Sequence, residues 1–284
     1  MEKQTRILIA GGDMRQMYCA ERLARSYDTT VTGFDREHFS GVNTNGCVSG
    51  KYDCIVLPVP PLDDDGYLTA PCFSGKINAN ELNDILAADG IIFTGRPDSR
   101  LHTIFHDAEI CDYMSREELM LRNAVPTAEG AVQTALEELP VTLNGLKVLI
   151  VGMGRIGTAL AEILKGFGAD ITAAVRNANG AARAVLHGVK SVYTEDMGND
   201  YGLVFNTVPS LVLDRSMLMK FSDDTLFIDL ASKPGGIDFA SAAELGKKAV
   251  WALGIPGKTA PVTAGRIIAD TVSGILDERG NAHA

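Results

Sequence analysis

Gly152, Gly154 and Gly157, in the stretch KVLIVGMGRIG, have the spacing that could hold a phosphorylated ligand. The apolar run 147–151 leads into them as a strand. A helix carrying Ile156, Leu160, Ile163, Leu164 and Phe167 on one face leads out, and a second apolar run follows at 171–175. In that setting Gly152 allows the tight turn, Gly154 lets backbone approach a pyrophosphate, and Gly157 lets helix and strand pack closely. Arg155 and Ile156 open the helix, whose first N–H groups face the anion. The pattern predicts a nicotinamide-dinucleotide site. A glycine turn that binds nothing is the competing reading.

The residue closing the second strand bears on which dinucleotide. NAD sites usually carry Asp or Glu there, to hold the ribose hydroxyls. Here Arg176 and Asn177 occupy the position, and no acid follows until Glu195. An arginine can pair with a 2′-phosphate that a carboxylate would repel, so NADP is expected, with NAD possible. An ordinary solvated arginine at a strand end is the alternative.

Four later segments are expected to border the same ligand. In Asn206-Thr207-Val208-Pro209-Ser210, the Asn and Thr could bond ribose or carboxamide while Pro209 fixes the turn. In Asp229–Gly236, Ser232 and Lys233 are the groups best suited to an anionic substrate. Lys258 lies in the third segment, 254–258, and Thr263 in the fourth, 261–265, which starts a helix. Each segment could equally be a rigid structural turn.

The N-terminal half opens in the same style, but Gly11, Asp13 and Gln16 stand where the three glycines would be. A carboxylate there disfavours a pyrophosphate, so no second cofactor is expected, and Asp35 mimics a ribose-binding acid without serving as one. Asp13, Arg15 and Gln16 are read instead as part of a substrate pocket outside a strand's carboxyl end, with Thr94 beside it. The alternative makes Asp13 a helix N-cap. Asp13, Arg15, Gln16, Ser232 and Lys233 form the expected catalytic set; Arg15, Thr94, Ser232, Lys233, Lys258 and Thr263 form the substrate set.

These residues require two α/β domains. Strands are predicted at 6–10, 30–34, 54–59 and 90–94, with helices at 15–26, 80–88 and 116–123. A linking helix follows within 126–144, beginning after Pro126-Thr127. Strands at 147–151, 170–175, 190–192, 202–206, 225–230 and 249–252 then suit the order 3-2-1-4-5-6. The fold class is α/β: two doubly wound Rossmann-like domains with a cleft between them. The bounds are 1–125 and 145–260, with a C-terminal helix, 261–284, packing back on the first domain.

Composition narrows the class further. A length of 284 residues suits two cores, and a net charge of −10 argues against a nucleic-acid partner. No apolar run is long enough to span a bilayer, and the N-terminus enters a strand without a signal peptide, so a cytoplasmic protein is expected. Cys19, Cys47, Cys54, Cys72 and Cys111 lack metal-ligand spacing and read as reduced thiols. Asp63, Asp64 and Asp65 read as a solvated loop tip, and no metal is expected. A 2-hydroxyacid oxidation usually needs a histidine acid; His38, His102, His106, His187 and His283 all fall off the loops facing the cofactor.

GGDxRQ at 11–16, GFD at 33–35, PTAEG at 126–130, NTVPS at 206–210, DLASKPGG at 229–236 and GIPGKTAPVTAG at 254–265 occur in this order. Over nearly the whole chain this resembles the family of dipicolinate synthase A subunits from spore-forming bacteria. The resemblance implies NAD(P)-dependent oxidation of a dihydrodipicolinate-like dicarboxylate to pyridine-2,6-dicarboxylate in the mother-cell cytoplasm. It also implies a flavoprotein-like partner, the B component of dipicolinate synthase. Many members are expected to carry Arg where Lys233 stands, so a point charge replaces a bidentate fork. A homodimer is expected from fold analogy. The remaining alternatives are a shikimate- or alanine-dehydrogenase-like enzyme, and a non-catalytic protein that binds the cofactor in support of its partner.

Overall fold

The computed structural model describes residues 4–35 and 48–282; His38, Cys47 and His283 lie outside them. The chain divides into two compact units, Met1–Arg122 with Ala260–Ala284, and Asn123–Thr259. Each is a parallel sheet with helices, an α/β architecture of Rossmann type.

In the first unit β1 (Arg6–Ala10) is apolar after its first residue because both sheet faces are covered. Ile7 and Ile9 enter one core and Leu8 and Ala10 the other. After it come α1 (Met14–Leu23), β2 (Asp28–Thr32), β3 (Tyr52–Val56), β4 (Leu86–Thr94), α2 (Ser99–Ile104) and β5 (Glu109–Asp112). The strand order β2-β1-β3-β4-β5 reverses direction between β1 and β3, which is where open α/β sheets form a crevice. Gly33, at φ +81°, follows β2. The helix predicted at 80–88 is instead a 3-10 segment, Ala79–Ile85, leading straight into β4. Asn80, Asn83 and Asp84 are poor helix formers, and tertiary pairing claims the rest. The last helix, α9 (Pro261–Ala282), belongs to this unit and packs on α1. A Cβ at Gly265 would lie 2.3 Å from the Arg15 carbonyl oxygen. The two helices therefore touch at backbone distance.

The chain passes from the first unit to the second within a single helix, α3 (Glu117–Glu138). The sequence pattern predicts two helices here, separated before Ala128. Pro126 is inside the helix instead, where it withholds an N–H from the carbonyl of Arg122 without ending the helix. Thr127 Oγ1 donates to the Asn123 carbonyl at 2.7 Å, adding a bond in the adjoining turn.

The second unit contains β6 (Lys147–Val151), α4 (Arg155–Gly166), β7 (Asp170–Val175), α5 (Ala178–Leu186), β8 (Lys190–Tyr193) and β9 (Leu203–Asn206). It continues with α6 (Arg215–Leu218), β10 (Leu226–Asp229), α7 (Phe239–Glu244), β11 (Lys248–Trp251) and α8 (Ile255–Thr259). Its sheet runs β11-β10-β9-β6-β7-β8. This is the order 3-2-1-4-5-6 when the unit's own strands are counted. Val148 and Ile150 face one core, Leu149 and Val151 the other.

Candidate functional site

At the carboxyl end of β6 the chain turns at Gly152, whose φ is +96°. A Cβ there would come within 2.6 Å of Thr207 Oγ1 and 2.7 Å of Val208 Cγ2, so only glycine fits. A Cβ at Gly157 would lie 2.0 Å from the Gly152 carbonyl oxygen, so the first turn of α4 rests directly on the loop. Gly154 differs: no protein atom lies within 4 Å of a Cβ built there. Its missing side chain serves neither turn nor packing and leaves the backbone approachable from outside. Gly154 also caps α4 without a side-chain bond, an arrangement that suits an anion at a helix start.

A cavity of ≈ 920 Å³ opens over this turn. Gly152, Gly154, Arg176, Val208 and Pro209, all assigned to the cofactor by the sequence pattern, line it. Asn177, Asn179, Arg183 and Glu195 join them. Arg176 follows β7 and is exposed, and Asn177 caps α5 by accepting the Gly180 N–H at 3.0 Å. Size, bare glycine backbone, a glycine N-cap with no side-chain bond and a cationic rim all fit a dinucleotide.

Several predicted contacts are redirected. Asn206 is fully buried. Its amide donates to the Val208 carbonyl at 2.9 Å and to Asp229 Oδ1 at 2.7 Å, so it braces two loops rather than reaching a ribose. Thr207 Oγ1 donates to the Val151 carbonyl at 2.9 Å and is tied to the glycine turn. Ile156 is half-buried against the core, and neither it nor Arg155 nor Gly157 borders the cavity. Asp229 is the organiser that sequence reasoning missed. Also fully buried, it accepts from Ala231 N (3.0 Å), Gly236 N (2.8 Å) and Ile237 N (3.2 Å) as well as from Asn206. An acid ending the apolar run LFID was the available signal. It shapes the turn that presents half-buried Ser232 and exposed Lys233 at the end of β10. Lys258 is exposed on α8, a short helix where the sequence pattern predicts a loop.

In the first unit Asp13 is the N-cap of α1, accepting from Arg15 N at 2.9 Å. Arg15 closes on the same carboxylate through Nε (2.9 Å) and Nη2 (2.9 Å). The expectation of Arg15 as a free substrate donor is corrected: its fork is occupied by its own N-cap. Gln16 is fully buried against Gly12, with neither amide atom partnered. Thr94 is likewise fully buried, its hydroxyl donating to the Pro58 carbonyl, which takes it out of the substrate set. Thr263 is exposed in the first turn of α9. Asp35 accepts from Ser74 N and Oγ and is a loop tie. Burial pushes the thiols of Cys19, Cys54, Cys72 and Cys111 up, which suits none of them to nucleophilic attack. His187 sits on Glu162 at the surface, and does not line the cavity.

Fold and cavity together define a two-unit protein of the nicotinamide-dependent dehydrogenase class. Residues 118–232 match the family model for the NAD binding domain of D-isomer specific 2-hydroxyacid dehydrogenases, and residues 6–114 match that for the N-terminal domain of the dipicolinate synthase A subunit. The chain is 30% identical over 285 residues to the dipicolinate synthase A subunit of Bacillus subtilis (strain 168), covering 96% of both. It superposes on the crystal structure of the corresponding protein from Bacillus halodurans with a TM-score of 0.87 at 28% identity, over 96% of this chain and 97% of that one. The crystal structure of the Bacillus subtilis protein gives 0.86 at 29%, over 98% and 97%. The chain belongs to the family of dipicolinate synthase A subunits.

Proposed function

We propose that this chain oxidises a dihydrodipicolinate-type substrate to pyridine-2,6-dicarboxylate, with NADP as the hydride acceptor. The observation that carries the reading is the cavity over Gly152 and Gly154 with Arg176 on its rim. A bound NADP+ supplies the acceptor carbon; the substrate loses one C–H as hydride and one ring proton to water, and its ring becomes aromatic. Because aromatisation is downhill, the chain's own task is orientation and charge neutralisation. Arg176 answers the 2′-phosphate. Lys233, with Ser232 beside it, answers a substrate carboxylate, and Lys258 adds a further exposed cation. A strong general base is unnecessary on this reading.

The family's designation supports a working partner, read here as the flavoprotein-like B component of the synthase, in a sporulating cell's mother-cell cytoplasm. A homodimer is part of the same reading. No helix among the described residues is long and apolar enough to cross a membrane. Calorimetric titration of the purified chain with NADP+ and NAD+, followed by turnover of dihydrodipicolinate with and without the B component, tests the proposal. NADP+ binding and NADPH formation are expected. No heat with either nucleotide ends the redox reading, and turnover confined to the B component assigns this chain a supporting role.

A further inference from the structure

We infer that Arg183 is a second specificity-determining residue, closing with Arg176 on the 2′-phosphate of NADP at the first turn of α5. This rests on the reading that the cavity over Gly152 and Gly154 takes the dinucleotide. Both arginines line that cavity and are exposed, and among the described residues neither forms an ion pair. Elsewhere Arg6, Arg15, Arg22, Arg100, Arg116, Arg122, Arg215 and Arg279 are held by carboxylates, so these two cavity-lining guanidinium groups are left to a ligand.

Their placement follows from the helix. Asn179 and Arg183 are four residues apart on α5 and therefore stand one above the other on the face that lines the cavity. Long side chains on a helix lean toward its N-terminus. On that rule Arg183 is directed back toward the turn that begins at Asn177, the residue after Arg176. Gly180 holds this turn down: a Cβ there would lie 2.9 Å from Val175 Cβ, so α5 sits hard against the end of β7. An anion at that point would meet one guanidinium from the strand end and another from the helix. Two forks suit a phosphate dianion far better than a neutral ribose hydroxyl.

Two other roles compete. Arg183 lies in the last turn of α5, where a cation also complements the helix dipole. Glu195 lines the same cavity and could hold ribose hydroxyls, which would favour NAD. Arg183→Ala, Arg183→Lys and Arg176→Ala should be titrated with NADP+ and with NAD+ by calorimetry, and their melting temperatures recorded. Arg183→Ala is expected to weaken NADP+ about tenfold while NAD+ is unchanged, the size of one lost charge-assisted contact. Arg183→Lys should recover part of that loss. An unchanged NADP+ to NAD+ ratio, with or without a lowered melting temperature, overturns the inference in favour of the dipole role. Tighter NAD+ than NADP+ binding in the parent chain overturns it in favour of Glu195. Failure of the parent to bind either nucleotide is separate, because it removes the cofactor reading itself.

Discussion

Gly154 and Gly157 have the same missing side chain for opposite reasons, and their alanine variants should separate ligand binding from folding. Gly157→Ala places a Cβ 2.0 Å from a backbone carbonyl that cannot move without moving β6. Overpacking of this kind costs about 1–3 kcal/mol. A lower urea midpoint and lost NADP+ binding are therefore expected together. Gly154→Ala meets no protein atom within 4 Å, so its urea midpoint should match the parent's. NADP+ should nevertheless bind about tenfold more weakly, a loss of about 1.4 kcal/mol. Binding that survives Gly154→Ala would move the pyrophosphate elsewhere. For Lys233→Ala, steady-state kinetics should show KM for the substrate rising about tenfold with kcat little changed, as expected when uniform carboxylate binding is removed. Unchanged KM would take Lys233 out of the site.

Between elements, stability depends on contacts that residue patterns reveal unevenly. The strands of the second unit and their order were legible because each is a short apolar run bounded by turn residues. The glycine turn was legible because Gly152, Gly154 and Gly157 keep a fixed spacing between an apolar run and a helix pattern. α3 was not: Pro126 reads as a boundary, yet tertiary packing on both sides carries the helix through it. The buried pair Asn206–Asp229 was equally hidden, since a polar residue ending a strand looks the same whether it faces a ligand or braces a loop. Arg15 was misread for a related reason: nothing in GGDMRQ shows that its fork folds back on Asp13. The braces themselves can be tested. Asp229→Asn turns an NH2 toward N–H donors that both carboxylate oxygens now accept, and should lower unfolding free energy by about 2–3 kcal/mol in urea. Gly265→Ala forces α9 away from the Arg15 carbonyl and should lower thermal stability by about 1–3 kcal/mol. A variant as stable as the parent would mean that the α1–α9 contact yields without cost.

The molecule as a whole carries a net charge of −10, and its stability should respond to pH from two directions. On the acid side, Arg279 beside Glu109, Lys165 beside Glu162 and Lys247 beside Asp223 hold these carboxyls below their usual range. A depressed folded-state value stabilises the native state above the unfolded value of about 4, and that contribution disappears as pH falls. These pairs are largely exposed, so each is worth little and the acid decline should be gradual. On the alkaline side burial raises Cys54 from 9.0 to about 12 and pushes Cys19 and Tyr113 higher still. A raised value stabilises the native state below the unfolded value, and that contribution is lost as pH climbs, because unfolded thiols ionise first. The melting temperature should therefore be nearly flat from about pH 5 to 8.5 and fall on either side. Cys54→Ala lowers the plateau by opening a small cavity, but it removes one thiol from the alkaline linkage. Between about pH 8 and pH 10.5 it should lose fewer degrees than the parent. An equal loss would assign the alkaline decline to tyrosines and to repulsion among the excess carboxylates.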